Sequence, residues 1–100
     1  MAMLELSIVP IGTKTTSVSR YVARAVCILR DEKDIKYSLT AMGTIIEGDL
    51  DRILGLARKM HESAFAGGAV RVLTTIKIDD RRDEPATMAS KIESVMRDLS

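Results

Sequence analysis

Hydrophobic and polar residues alternate near the start of the chain. Over residues 3–10, MLELSIVP, leucine or isoleucine occupies every second position. A period of two predicts a β-strand with one buried face, and Pro10 with Gly12 ends it. Residues 70–79, VRVLTTIKID, alternate in the same way and predict another strand.

Apolar residues at helical spacing predict three helices. The first ends near Arg30, the second extends from the N-cap Asp49 to about Ala66, and the third begins at Pro85. The apolar stripes comprise Val18, Tyr21, Val22, Ala25 and Leu29 in the first helix, Leu50, Ile53, Leu54, Ala57, Met60 and Ala64 in the second, and Met88, Ile92, Val95 or Met96, and Leu99 in the third.

Two further strands are predicted between the first two helices. Residues 37–41 and 44–47 form a hairpin, and Met42-Gly43 fits a two-residue turn because glycine adopts positive φ. On this register Thr44 and Glu47 lie on opposite faces of the sheet. A bulge at Gly43 would exchange the faces of one strand, so this alternative stays open.

The predicted order is strand, helix, strand, strand, helix, strand, helix. The first six elements match the split βαβ, ferredoxin-like arrangement, an α+β fold with a four-stranded antiparallel sheet. We expect one domain over residues 1–100, with the last helix as an addition. Two helices cover one face of such a sheet, and the open face suits a subunit contact that contains a ligand pocket. The residues assigned to the open face are Glu5, Ser7, Val9, Ser38, Thr40, Ile45, Glu47, Leu73, Thr75 and Lys77.

Composition excludes several classes of protein. Lys and Arg number 15 against 14 Asp and Glu, and aromatic residues make up 3% of the chain. Nucleic-acid-binding modules need a basic stripe or stacking aromatic faces, so we expect no nucleic-acid partner. The N-terminal ten residues have no basic region and contain Glu5, which argues against a signal peptide and a membrane span. We therefore expect a cytoplasmic protein with no membrane partner.

The residue types that usually form metal or catalytic sites are few. Cys27 is the only cysteine, which excludes an internal disulfide, and we expect it to be buried as a small apolar residue. His61 is the only histidine and has no evident partners for a metal or a catalytic triad. Arg81 and Arg82 could hold a phosphate, but the adjacent aspartates favour a solvated turn. Nucleotide-binding and nucleophile motifs are absent from the sequence, so we expect no enzyme activity, metal or cofactor.

Glu47 is the residue with the clearest potential for chemistry. A carboxylate at the end of a sheet strand can accept hydrogen bonds from an amine or pair with a cation. The alternative is a structural ion pair with Lys77 or with an arginine of another subunit. Ser7 and Thr44 offer hydroxyls for a small polar ligand, or they are ordinary strand residues.

Four segments together resemble the small thiamine-binding-protein family, the YkoF-like superfamily. They are MLELSIVPIG at 3–12, TSVSRYV at 16–22, YSLTAMGTIIEG at 37–48 and VLTTIKIDDRR at 72–82. The resemblance spans essentially the whole chain. It implies a ferredoxin-like fold, dimers paired into homotetramers through their sheets, and binding of thiamine or its hydroxymethylpyrimidine portion.

The resemblance also suggests how the ligand is held. Glu47 suits the amine of the pyrimidine or the cationic thiazolium, Ser7 and Thr44 would add hydrogen bonds, and Tyr37 is the best aromatic residue for stacking. With Thr75, these form the candidate ligand-binding set. The alternatives are a structural or regulatory oligomer without a small-molecule ligand, and an enzyme acting on a related pyrimidine.

Overall fold

The chain folds around a four-stranded antiparallel sheet of order β2-β3-β1-β4. This computed structural model describes residues 1–14, 18–84 and 86–100, so Pro85 lies outside the described residues. The ferredoxin-like order predicted from the sequence is confirmed, with the added helix at the end. The elements are β1 (Ala2–Pro10), α1 (Ser19–Arg30), β2 (Lys36–Thr40), β3 (Gly43–Gly48), α2 (Leu50–Ala66), β4 (Val72–Asp79) and α3 (Met88–Leu99).

The core lies between one face of the sheet and the helices α1 and α2. The even-numbered residues of β1 point into it, as their alternation predicts. In α2 the buried face includes Leu56, whereas Leu54, which was assigned to the apolar stripe, is partly exposed. The largest fully buried side chains are Leu4, Leu6, Leu29, Ile46, Ile53, Leu56 and Met60.

The opposite face of the sheet is the open face predicted from the sequence. Along the β1–β4 ladder, Glu5 lies opposite Lys77, Ser7 opposite Thr75, and Val9 opposite Leu73. Across the hairpin, Ser38 lies opposite Ile45. Paired residues in an antiparallel sheet point to the same side, so this register agrees with the predicted membership of the open face.

The predicted hairpin turn was wrong by one position. The turn residues are Ala41 and Met42, and Gly43 already belongs to β3 without positive φ. Thr40 stabilises the turn because its Oγ1 accepts from the backbone N–H of Gly43 at 3.1 Å. The pairing of Leu39 with Thr44 shifts the predicted register by two residues, which leaves every side chain on its predicted face.

Gly43 has a different function from the one predicted. A Cβ at this position would lie 2.9 Å from the backbone carbonyl oxygen of Leu6. The glycine therefore allows close approach of the hairpin to β1, since no side chain fits in that space.

Cys27 is exposed, which contradicts the expectation that it would be buried. The buried residues of α1 are Ala25 and Leu29. Cys27 is two positions from each of them, about 200° around the helix. Its apolar neighbours in sequence therefore point elsewhere.

The last helix, α3, begins with a capping box. The backbone N–H of Ser90 donates to Thr87 Oγ1 at 3.0 Å, and the backbone N–H of Thr87 donates to Ser90 Oγ at 2.8 Å. Lys91 forms an ion pair with Asp79 at the end of β4. The apolar stripe predicted for this helix is solvent-exposed in the single chain, with exposed fractions of 59% to 74% for Ile92, Val95, Met96 and Leu99.

Replacing Gly43 tests the close approach of the hairpin to β1. We expect Gly43→Ala to lower the free energy of unfolding by about 1–3 kcal/mol, because the Leu6 carbonyl cannot move away without disturbing the ladder. Gly55→Ala in α2 is the control, since a Cβ there meets no atom within 4 Å. It should stabilise the helix by about 0.5–1 kcal/mol. Urea unfolding of both variants measures the difference, and equal stabilities would contradict this explanation.

Candidate functional site

Glu47 occupies an unusual environment on the open face. It lies opposite Met3 of β1 and Lys36 of β2, near the end of β3. Only 3% of its surface is exposed, and no hydrogen bond or ion pair to its carboxylate is found among the described residues. Among the described residues no side-chain oxygen is both sealed from solvent and unpaired, so the Glu47 carboxylate keeps some access. A ligand or a second polypeptide that supplies a partner can reach it there.

The structure does not show the alternative ion pair between Glu47 and Lys77. Lys77 Nζ lies 3.5 Å from Glu5 Oε1, the carboxylate directly across the ladder. Each side chain is substantially exposed, so this pair contributes little to stability. Asp79, which pairs with Met3 across the ladder and so shares this face, is bonded to Lys91. Among the described residues, Glu47 is thus unpaired on the open face while Glu5 and Asp79 have partners.

Ser7 and Thr75 share the open face with Glu47 but lie at a distance from it. They are opposite each other across the β1–β4 ladder. Ser7 is four residues along β1 from Met3, the partner of Glu47, which corresponds to roughly 13 Å. The sequence placed the three residues on the correct face but did not predict this separation.

Thr44 and Tyr37 lie on the helix side of the sheet. Thr44 pairs with Leu6 and Leu39, and Tyr37 pairs with Ile46 on the edge strand β2. Thr44 is 3% exposed and its hydroxyl has no hydrogen bond within the described residues. The five predicted site residues thus fall into separate groups, and no single small ligand contacts all of them.

A pocket that the sequence did not reveal lies beside Thr44, at the tip of the hairpin. It has a volume of about 410 Å³ and lies between α1, the second half of β1 and the hairpin turn. We call it the hairpin-tip pocket. Its lining residues are Leu6, Ser7, Ile8, Val9, Val18, Val22, Ala25, Leu39, Thr40, Ala41, Met42, Gly43, Thr44 and Met60.

The hairpin-tip pocket is lined without any charged side chain. Three of its lining residues, Ser7, Thr40 and Thr44, carry hydroxyls. Ser7 and Thr40 belong to the open face of the sheet, and the Thr40 hydroxyl is already bonded within the turn. Among the described residues no polar side-chain atom is both sealed from solvent and unpaired. The Thr44 hydroxyl, which is unpaired among the described residues, is therefore still accessible to solvent. Thr44 lines the hairpin-tip pocket.

The sequence and the fold that carry this open face and this pocket can be compared with those of known proteins. The sequence profile of the family described as thiamine-binding protein matches residues 4–96. The chain belongs to the thiamine-binding protein family. This confirms the resemblance found in the four sequence segments.

Several known proteins align with this chain over nearly their full length. The UPF0045 protein YqgV of Bacillus subtilis is 49% identical over 102 residues, which covers 99% of this chain and 98% of that protein. The crystal structure of MJ1052 from Methanocaldococcus jannaschii has a TM-score of 0.84 at 38% identity and covers 95% of each chain. A Thermotoga maritima structure, named as a candidate thiamine biosynthesis or salvage protein, has a TM-score of 0.75 at 17% identity and covers 94% and 97% of the two chains. At that identity the last comparison supports the fold alone.

Arg81 and Arg82 form ion pairs within their own turn. Arg82 donates to Asp80, and Arg81 donates to Asp83. These hydrogen bonds lower the pKa of Asp80 and of Asp83 below the ordinary value for a carboxyl. This matches the solvated turn favoured by the sequence rather than a phosphate site.

The imidazole of His61 already has contacts on the helix side of the sheet. Its Nδ1 lies 2.6 Å from Thr74 Oγ1, and its ring packs edge-on against Phe65.

No cluster of three or more metal-ligating side chains occurs within residues 1–14, 18–84 and 86–100. In the same ranges, no helix has the length and apolar character needed to cross a membrane.

Arg52 of α2 holds the loop that leads into β2, the strand beside Glu47. Its guanidinium pairs with Glu32, and its Nε donates to Asp34 Oδ2 at 2.9 Å. This hydrogen bond lowers the pKa of the Asp34 carboxyl below its ordinary value. The loop is thereby connected to the start of α2.

The Arg52 ion pairs should make stability depend on pH. A carboxyl with a lowered pKa in the folded state stabilises the protein above its unfolded pKa, about 3.9, and this contribution disappears as the pH falls through the folded value. We expect Arg52→Met to lower the free energy of unfolding at pH 7 and to have a smaller effect below about pH 4. Urea unfolding at several pH values measures this.

Arg58→Met is the control for this titration. Arg58 is exposed on the same helix and forms no ion pair among the described residues. Its substitution should leave the pH dependence of stability unchanged. A constant difference between Arg52→Met and the parent protein from pH 7 to pH 2.5 would contradict the assignment.

Proposed function

We propose that this protein binds thiamine or a related hydroxymethylpyrimidine as a homo-oligomer and does not catalyse a reaction on it. Membership of the thiamine-binding protein family supports the ligand class. The observation that carries the proposal is Glu47, a residue that is 3% exposed and whose carboxylate has no partner among the described residues. Glu47 is the residue that binds the ligand in this proposal.

The chemistry of the ligand matches this carboxylate. Thiamine has a permanently cationic thiazolium and an aminopyrimidine whose amine donates hydrogen bonds. A carboxylate binds both groups through charge-assisted hydrogen bonds or ion pairing. Its low exposure strengthens these interactions because little water screens them.

The open face of the sheet supplies the oligomer contact. Leu73 and Val9 are exposed apolar residues on this face, and Ile45 lies on it next to Glu47. We place the ligand where the open faces of two subunits meet, in a homotetramer built as a dimer of dimers. Ser7 and Thr75 would then lie in the same contact, and the protein would act in the cytoplasm.

Replacement of the Glu47 carboxylate tests the proposed ligand. We expect Glu47→Gln to weaken thiamine binding by roughly 10- to 100-fold, the usual loss for a hydrogen bond to a charged group. Isothermal titration calorimetry with thiamine measures the change. Glu5→Gln is the matched control, since Glu5 lies on the same face and is paired with Lys77.

Two results of this titration would count against the proposal. The first is that the parent protein releases no heat at millimolar thiamine. The second is that Glu47→Gln and Glu5→Gln bind thiamine equally well. Turnover of hydroxymethylpyrimidine, followed by chromatography, would instead indicate an enzyme.

A second candidate function is a structural or regulatory oligomer without a small-molecule ligand. The exposed apolar stripe of α3, which includes Ile92 and Leu99, favours it because such a stripe is typical of protein contacts. This alternative expects the same assembly in the absence and presence of thiamine. It also expects Glu47→Gln to change no binding property.

A charge on the open face tests the proposed assembly. We expect Leu73→Lys to convert the oligomer into smaller species, because a buried lysine without a partner destabilises a sheet-to-sheet contact. Light scattering coupled to size-exclusion chromatography measures the mass. Val70→Lys is the control, since Val70 is exposed before β4 begins and lies outside that contact. A tetramer that persists in Leu73→Lys would place the contact elsewhere.

A further inference from the structure

Positive charge is concentrated at the end of the fold where β1 ends and β4 begins. Neither residues 6–30 nor residues 63–78 contain an Asp or Glu, so all 14 acidic residues lie elsewhere in the chain. The fold joins these two segments, since the backbone N–H of Ile11 donates to the carbonyl oxygen of Arg71 at 2.8 Å. They supply the end of β1, the start of α1 and the loop between α2 and β4, so this end is built from residues without carboxylates.

A cavity of about 320 Å³ lies at this end of the fold. Its lining comes from residues 11–14 after β1, from Tyr21 of α1 and from residues 67–70 after α2, and we call it the glycine-walled cavity. A narrow cleft that contains Arg20 and Arg24 adjoins it, because Tyr21 and Gly67 line both spaces. The cavity and the cleft together have three cationic side chains and no anionic one.

The glycines give the cavity its shape. Gly12 and Gly68 have φ values of 80° and 104°, which other residues rarely adopt, and a Cβ at either position would meet no atom within 4 Å. A Cβ at Gly67 would instead lie 3.3 Å from Arg24 Nε and 3.3 Å from Tyr21 Cε1. The lack of a side chain at Gly67 therefore lets the Arg24 guanidinium pack at the edge of the cavity.

The three cations at this end have no carboxylate partners. Lys14, Arg20 and Arg24 are exposed and form no ion pair within the described part of the chain. Arg81 and Arg82, in contrast, are paired within their own turn. Like charges around one cavity repel one another, and an anion bound among them would replace that repulsion with attraction.

The donors around the cavity are suited to a phosphate group. Gly12 and Val70 line it, and their backbone N–H groups donate to no acceptor among the described residues. Backbone N–H groups and the side chains of lysine and arginine are the usual donors to phosphate oxygens. A concave site with three cations fits one phosphate group, whereas a nucleic acid needs a longer basic surface for its many phosphates.

We propose that the glycine-walled cavity binds a small phosphate-bearing anion, either free phosphate or a phosphate monoester, through Lys14, Arg20 and Arg24. The cavity begins at Ile11, eight residues along the chain from Met3, the partner of Glu47. Eight extended residues span roughly 26 Å, which is too far for one small ligand to bridge. This site is therefore independent of the ligand proposed for Glu47.

Titration with inorganic phosphate tests the site. We expect Arg24→Gln to weaken phosphate binding at least tenfold in calorimetry at pH 7.5 and constant ionic strength, the usual loss for a hydrogen bond between charged groups. Arg30→Gln is the matched control and should bind phosphate like the parent protein. Arg30 is exposed on the same helix, forms no ion pair among the described residues and does not line the cavity or the cleft.

Gly67→Ala provides a second variant that keeps every charge. Its added Cβ would displace the Arg24 guanidinium and the Tyr21 ring, so we expect phosphate binding to weaken by roughly 3- to 10-fold. Gly55→Ala adds the same group to α2 without meeting another atom within 4 Å and should leave phosphate binding unchanged. A loss in Gly67→Ala alone supports a built site over general attraction to positive charge.

A parallel titration with glycerol 3-phosphate distinguishes the two sources of the phosphate group. Tighter binding of this monoester than of inorganic phosphate identifies an ester as the ligand, and the reverse order identifies free phosphate. In the parent protein, amide chemical shifts should change at Gly12, Gly68 and Val70 when either probe binds.

Three results would overturn the proposal. The first is that the parent protein binds neither probe at millimolar concentration. The second is that Arg24→Gln and Arg30→Gln have equal affinities for phosphate, which indicates only general charge attraction. The third is that the shifts are confined to residues 80–84, around Arg81 and Arg82. Glu47→Gln should bind phosphate like the parent protein, so the failure of the proposed thiamine site and the failure of this site are measured separately.

Discussion

Burial of one face of the sheet against α1 and α2 is the interaction on which the structure depends. Leu4, Leu6 and Ile46 from the sheet are fully buried, as are Ile53 and Leu56 from α2. Each such side chain contributes about 1.5–3 kcal/mol through removal of apolar surface from water. The same burial makes the two faces of the sheet different, because both helices pack on one side.

This asymmetry explains both candidate sites. The open face has no helix packed across it as α1 and α2 pack on the other face, so its apolar residues Val9 and Leu73 are exposed. Glu47 is notable on this face because the residue is 3% exposed while its carboxylate has no partner among the described residues. On the covered face, the shortness of β3 leaves part of the β1 edge free and creates the hairpin-tip pocket.

The two sites differ mainly in charge. A nearly buried carboxylate attracts an amine or a cation, and the apolar pocket excludes a charge that it cannot pair. Glu47 and Thr44 point to opposite sides of the sheet because they are three positions apart on β3.

The sequence determined the order of the elements, the faces of the strands and the family, because alternation and helical spacing are local properties. It placed Thr44 and Glu47 on opposite faces even though the turn was displaced by one residue, since a register shift of two preserves the faces. The exposure of Cys27, the burial of Glu47, the distance from Glu47 to Ser7 and the hairpin-tip pocket were decided only by the tertiary structure. Each depends on which residues meet across separate strands and helices, and side-chain alternation along one strand contains no information about where its neighbour ends.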